Sequence, residues 1–205
     1  MISREDRLRV HSVELPPGYL PLPERHLHNV RDSTHFNRAV KWLESIKAKT
    51  VLDVGCYDGW LDFLLDSKGY KVSGIELIPE LAAAAKKYAE RNFINYSVQV
   101  GYVLDLEVTN KYDAVICFET LEHMPLADAK ECSLRFNKWA TKGVMISLPD
   151  QDHHLNLQHL FTPTEDLIKG VWGSFPEYTL EYVPYQGTPI PANWFINHRC
   201  GGEIL

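Results

Sequence analysis

Val51-Leu52-Asp53-Val54-Gly55-Cys56-Tyr57-Asp58-Gly59-Trp60 is an apolar run that enters a glycine-containing turn and then opens a helical pattern. That order reads as a ligand loop. Gly55 lets the backbone come close to a bound ligand, and Gly59 lets the next helix sit tight on the sheet. The free N–H groups at the start of that helix suit a ligand carboxylate. In open α/β sheets, ligands bind at such strand ends.

Working outward, the pattern alternates. Strands are expected near 50–55, 71–75, 95–100, 112–117 and 142–148, and helices near 59–68 and 79–91, which is a βαβ series. Runs such as Thr50-Val51-Leu52 and Val115-Ile116-Cys117 lack polar alternation, as parallel strands covered on both faces do. Pro79 and Glu80 suit a helix start, since proline loses nothing at the first helical position and a carboxylate suits the positive helix end. Two further strands, about 178–185 and 192–198, are separated only by the Gln186-Gly187-Thr188-Pro189 region. That is too short for a parallel crossover, so the sheet should end in an antiparallel pair. Before the loop, Ser33 reads as an N-cap to an amphipathic helix with Phe36, Ala39, Val40, Leu43 and Ile46 on one face. Pro16, Pro17, Pro21 and Pro23 make the preceding stretch an extended lead-in without helix. Residues 1–32 are therefore read as an N-terminal segment and candidate lid, and 33–205 as a single domain.

The 205 residues fit one core, and 45% hydrophobic with 23% charged is ordinary for a globular protein. No apolar run approaches the roughly 18 residues of a membrane span, and MISREDRLRV is no secretory signal. A cytoplasmic location and no membrane partner are the expectations. Cys56, Cys117, Cys132 and Cys200 form no CxxC pair, so packing is their expected role. A formal charge of −6 argues against an extended nucleic-acid surface.

A nicotinamide-binding loop would read GxGxxG, and the second and third glycines of that pattern are missing after Gly55. The same residues resemble the first motif of class I S-adenosylmethionine-dependent methyltransferases, acid-x-Gly-x-Gly-x-Gly, met at Asp53, Gly55 and Gly59, with Tyr57 in place of the middle glycine. This resemblance, carried by residues 33 to 170, implies a Rossmann-like fold: a mostly parallel seven-stranded sheet with a final antiparallel strand and helices on both faces. It implies S-adenosylmethionine as cofactor and a cofactor site of Asp53, Gly55, Cys56, Tyr57, Gly59, Glu76, Leu77, Tyr102 and Glu119. Glu76 falls where the family places an acid whose two oxygens bind the ribose hydroxyls. Tyr102 follows Gly101 where many relatives have aspartate near adenine, and Asp105 lies further on.

After the fourth strand, Glu119-Thr120-Leu121-Glu122-His123 resembles the family's signature near the transferred methyl. Together with His159 in Gln158-His159-Leu160-Phe161-Thr162, it is similar to the ubiquinone-pathway O-methyltransferases and to small-RNA 2′-O-methyltransferases. In the RNA enzymes the matching glutamates and histidines hold a divalent metal, so the resemblance implies Glu119, Glu122, His123 and His159 as ligands for Mg, Mn, Zn or Fe. A metal lowers the pKa of a ligated hydroxyl. The residues themselves leave two other roles open: a metal-free site with His123 or His159 as general base, or capping and shaping of the turn. Asp152, His153 and His154 form a second polar cluster, with solvent exposure the plainer role. Among Trp172, Phe175, Tyr178, Tyr182, Tyr185, Trp194 and Phe195 some must be core and others candidates to stack on an acceptor. His26, His28, His35 and Phe36 are candidates to close over the cofactor.

The resulting expectation is a small-molecule O-methyltransferase, with a sugar or phenol as acceptor type. An RNA methyltransferase and a non-catalytic S-adenosylmethionine-binding protein are the alternatives. Open acceptor-pocket walls leave room for a homodimer.

Overall fold

The structure, a computed structural model, describes residues 14–149, 159–175, 177–183 and 193–200. The quoted loop joins β1 (Thr50–Val54) to α3 (Trp60–Asp66). Ahead of it stand α1 (Pro23–His26) and α2 (Val30–Ser45). After it come β2 (Lys71–Glu76), α4 (Pro79–Arg91), β3 (Ser97–Val100), β4 (Tyr112–Phe118), α5 (Leu126–Trp139), β5 (Ala140–Pro149), α6 (Glu165–Trp172), β6 (Thr179–Val183) and β7 (Asn193–Arg199).

The seven strands form one sheet in the order β3-β2-β1-β4-β5-β7-β6. β7 runs antiparallel to both of its neighbours, and the other pairings are parallel. The expected final antiparallel strand is thus present, inserted between β5 and β6. Its Gln186–Pro189 connection lies outside the described residues. β1 pairs with β2 on one side and β4 on the other, so the chain's winding reverses at β1. That reversal opens a crevice at the carboxyl ends of these strands.

Side chains alternate across each strand, and both faces are buried. Val51, Ala114 and Ile116 face one apolar layer with Phe36, Ala39 and Leu43 of α2 and Leu61 and Leu65 of α3. Leu52, Val54, Val115 and Cys117 face the other, with Phe136 of α5 and Ile168 and Trp172 of α6. The cost of burying an indole N–H is met by Ser133, whose hydroxyl accepts from Trp172 at 2.7 Å. Among the described residues no helix is long and apolar enough to cross a membrane.

Two expectations fail at the N-terminal end. The lead-in contains a one-turn helix, because Pro23 takes the first helical position, where a missing N–H costs nothing. The cap of α2 is Asn29, whose side-chain oxygen accepts from Asp32 N, rather than Ser33, which donates its own N–H to Asn29 O inside the first turn.

Candidate active site

A cleft of about 530 Å³ opens at the carboxyl ends of β1, β2 and β4. Asp53, Gly55, Cys56, Tyr57, Glu76, Leu77, Tyr102, Glu119 and His123 line it; Gly59, Glu122 and His159 lie outside its lining.

The loop glycines are explained by protein neighbours. At Gly55 (φ +80°) a Cβ would lie 2.1 Å from Thr120 Oγ1, so this residue admits the turn after β4 rather than the ligand alone. Gly59 (φ +81°) would place a Cβ 2.9 Å from the Phe63 ring and 3.2 Å from Ala85, which lets α3 start against α4. Tyr57 stands in the left-handed region at φ 56°, the conformation glycine adopts freely. Its N–H donates to Glu76 Oε2 at 2.8 Å, and Ile78 N donates to Oε1 at 2.8 Å. Burial pushes the Glu76 carboxyl up to about 7, against the lowering effect of the N–H groups of Ile78, Tyr57 and Leu77. Beyond these bonds the carboxylate keeps acceptor capacity. Tyr102 turns its hydroxyl to Asp128 Oδ2 on α5. Asp105 sits in a short 3₁₀ turn, Val103–Asp105, outside the cleft lining.

Asp58 pre-empts part of the helix-start role expected for the loop. It is fully buried and accepts from Trp60 N at 3.2 Å, so that N–H is already engaged. Its other oxygen accepts from the Tyr19 hydroxyl of the lead-in. His26 stacks on Trp60 with centroids 4.6 Å apart and places Nδ1 2.8 Å from Asp32 Oδ2. His26, Asp32 and His35 line the cleft, whereas His28 is exposed and Phe36 belongs to the core. Sequence reading passed over Asp58, Trp60, Thr120 and Asp32. The first two stood inside the quoted loop and Thr120 inside the signature, while Asp32 carried no signal.

At the other end of the cleft the four-residue set divides. Glu122 and His123 lie on a 3₁₀ turn, Leu121–His123, and Leu160 N donates to Glu122 O at 2.7 Å, which ties His159 to that turn. Ligand atoms of Glu122, His123 and His159 fall within 4.8 Å of one another, and the two rings meet edge to face at 4.9 Å. Glu119 is not among them. Its backbone is left-handed at φ 49°, its N–H donates to Ser147 O at 3.2 Å, and its Oε1 accepts from Ser147 Oγ at 3.2 Å. His35 Nε2 lies 3.0 Å from the same hydroxyl and 3.7 Å from Glu119 Oε1. Asp152, His153, His154 and Tyr185 lie outside the described residues. Trp172, Phe175 and Phe195 are core, and Tyr182 packs on Trp194 at 4.6 Å.

The Ubiquinone biosynthesis O-methyltransferase of Coxiella burnetii (strain Dugway 5J108-111) is 36% identical over 93 residues, covering 42% of this chain and 38% of that protein. That of Rickettsia akari (strain Hartford) is 32% identical over 92 residues, 45% of this chain and 34% of that protein. The chain thus spans little more than a third of the length of these curated relatives. The enzyme of the same name from Glaesserella parasuis serovar 5 (strain SH0165) is 29% identical across 73% of each chain. In fold, the chain matches magnesium protoporphyrin IX methyltransferase from Synechocystis PCC 6803, crystallised with bound SAH, with a TM-score of 0.67 at 18% identity over 96% of this chain and 94% of that one. The methyltransferase domain family matches residues 45–182, about two thirds of the sequence. With that match, the strand order and the loop at the winding reversal, the chain belongs to the methyltransferase domain family.

Proposed function

We propose that this protein transfers the methyl group of S-adenosylmethionine to a hydroxyl of a small molecule. The observation that carries the reading is one cleft with Asp53, Glu76 and Tyr102 in its wall and Glu119 and His123 in its lining as well. When bound, the sulfonium cofactor supplies both the methyl group and its own leaving group. Glu76, held by two backbone N–H groups, presents its remaining acceptor sites to the ribose hydroxyls. Gly55, Cys56 and Tyr57 shape the wall beside them, and Leu77 and Ile78 add the apolar surface. Glu119 and His123, from the turn after β4, take the acceptor's proton, and alignment of that oxygen does the rest. Homologues named as O-methyltransferases favour oxygen as the atom methylated.

A second, finer reading rests on the triad. Glu122, His123 and His159 offer one oxygen and two nitrogens, a donor set that suits a divalent ion, with the ligand atoms within 4.8 Å of one another. Bound there, an ion would lower the pKa of a ligated hydroxyl.

Calorimetry with S-adenosylmethionine, followed by label transfer from it to catechol and to simple sugars, tests the reading. Saturable binding is expected in the wild type and strong loss of it in Glu76→Ala. His123→Ala should leave binding intact while slowing transfer by roughly 10²-fold or more. No cofactor binding by the wild type would overturn the proposal. EDTA that stops transfer, with recovery on adding Mg²⁺ or Mn²⁺, would favour the metal reading; unchanged rates in EDTA would sink it.

A further inference from the structure

Beneath the ligand loop, Asp53 of the cleft wall meets an acid, Asp62, that the methyl-transfer reading does not use. Asp53, one residue before the end of β1, is 3% exposed, and Asp62, on the first turn of α3, has no exposure at all. The two side chains are within hydrogen-bonding reach of each other. Tyr96 donates its hydroxyl proton to Asp62 Oδ2 at 2.5 Å, and its oxygen stands 3.3 Å from Cys56 Sγ. Asp62 Oδ1 is buried without a hydrogen-bond donor. The packing is built to this arrangement: a Cβ on Gly74 of β2 would strike Tyr96 Oη at 2.3 Å and Cys56 Sγ at 2.5 Å.

Two ionised carboxylates cannot share a buried site at hydrogen-bonding distance. Among the described residues, the titratable groups that face the pair are Cys56 and Asp58 from the loop, Glu76 from β2, Tyr96 before β3 and Cys117 from β4. Every one is an acid, so none can serve as counter-ion. One proton between Asp53 and Asp62 removes the repulsion and, placed on Oδ1, gives that atom a hydrogen bond to make. Tyr96 already occupies Oδ2, which directs that proton to Oδ1.

We propose that Asp62 is a neutral carboxylic acid that positions Asp53, donating Oδ1–H to it and keeping Asp53 ionised at the wall of the cleft. Asp62 is a positioning residue: it acts on the ligand through Asp53. An ionised Asp53 held in place suits a cationic ligand, and this rests on the reading of S-adenosylmethionine as cofactor. Burial raises both carboxyls, and the bond from Asp62 lowers Asp53 while raising Asp62, which agrees with the proton residing on Asp62. Loss of that proton at alkaline pH sets two charges against each other and loosens the loop.

The test uses calorimetric affinity for S-adenosylhomocysteine across pH, in the wild type, Asp62→Asn and Asp62→Ala. Asparagine keeps the N–H donor to Asp53 and has no proton to lose. Wild-type affinity should fall about tenfold between about pH 7 and about pH 9 beyond any change in Asp62→Asn. Asp62→Ala should be at least about tenfold weaker throughout. Identical pH profiles for wild type and Asp62→Asn, or an Asn variant as weak as the Ala variant, would overturn the proposal. A second readout is the infrared carbonyl band of a protonated carboxylic acid, present in ligand-free wild type at mildly alkaline pH and altered in Tyr96→Phe, which leaves both aspartates in place. Absence of that band overturns the assignment even if Asp62 variants do not fold. Wild-type protein that shows the band but binds no cofactor product would instead sink the methyl-transfer reading and leave the shared proton standing.

Discussion

Backbone freedom and buried polarity decide different residues of this fold. Gly55 and Gly59 are glycines because Thr120 and Phe63 stand where their Cβ atoms would be. Tyr57 takes the same left-handed region as a non-glycine residue, a cost of about 1–2 kcal/mol. The hydrogen bond its backbone N–H donates to Glu76 helps to hold it there. His198 on β7 shows what burying an imidazole costs. It is 1% exposed and stacked on Phe175 at 4.5 Å, and the Arg199 backbone offsets only part of its desolvation. Burial depresses it to about 4 from the usual 6.5. The unfolded chain therefore takes up this proton first as pH falls, and stability present above about 6.5 is lost toward 4. His198→Phe keeps the stack and has nothing to protonate. Relative to wild type at neutral pH, it should gain about 3 kcal/mol at about pH 4 in denaturant titrations. Parallel curves for the two proteins would contradict this.

Element ends matter as much as element cores. α6 carries Ile168 and Trp172 into the layer against β4 and β5, and its first turn is held by Thr164, whose Oγ1 accepts from Leu167 N at 3.1 Å. Thr164→Ala should cost about 1 kcal/mol and lower Tm by about 2–4 °C. Thr164→Ser, which retains the acceptor, should recover most of it. A full loss in the serine variant would show that the methyl group, not the cap, matters. The helix-start residues were only partly legible. Pro79 begins α4 as its position in the sequence predicts, while α2 begins at Asn29 because Ser33 lies a turn inside the helix. A cap residue read from sequence is one of several candidates within a turn, and the backbone chooses among them.

For the molecule as a whole, the cleft draws on the ends of three parallel strands, the loop after β1, and the lead-in, which adds His26 to the lining and bonds Asp58 of the loop through Tyr19. A ligand bound only by the folded state stabilises all of it by mass action. S-adenosylhomocysteine at a hundredfold excess over its Kd should add about 2.7 kcal/mol, a rise in Tm on the order of 5–10 °C. Differential scanning fluorimetry measures it, and no rise at any concentration would count against the cofactor reading. Shortening the chain to begin after Tyr19 should reduce that rise if the Tyr19 to Asp58 bond helps hold the site closed.

Much of the fold was readable without coordinates, because βαβ units are local. Buried apolar runs, glycines at the strand end and proline at a helix start each act within a few residues, and together they determined the alternating order, the parallel sheet and the loop of Asp53, Gly55 and Gly59. Tertiary structure alone decided which side chains meet. Glu119 and His123 are neighbours in sequence, yet Glu119 turns to Ser147 and His35, residues 112 positions apart, while His123 turns to His159. Asp53 and Asp62 gave no sign of sharing a proton. Their meeting depends on α3 lying back over β1 and on Gly74 leaving room for Tyr96. Periodicity and motif spacing encode contacts along the chain; contacts between distant segments depend on strand order and on the space that packing leaves.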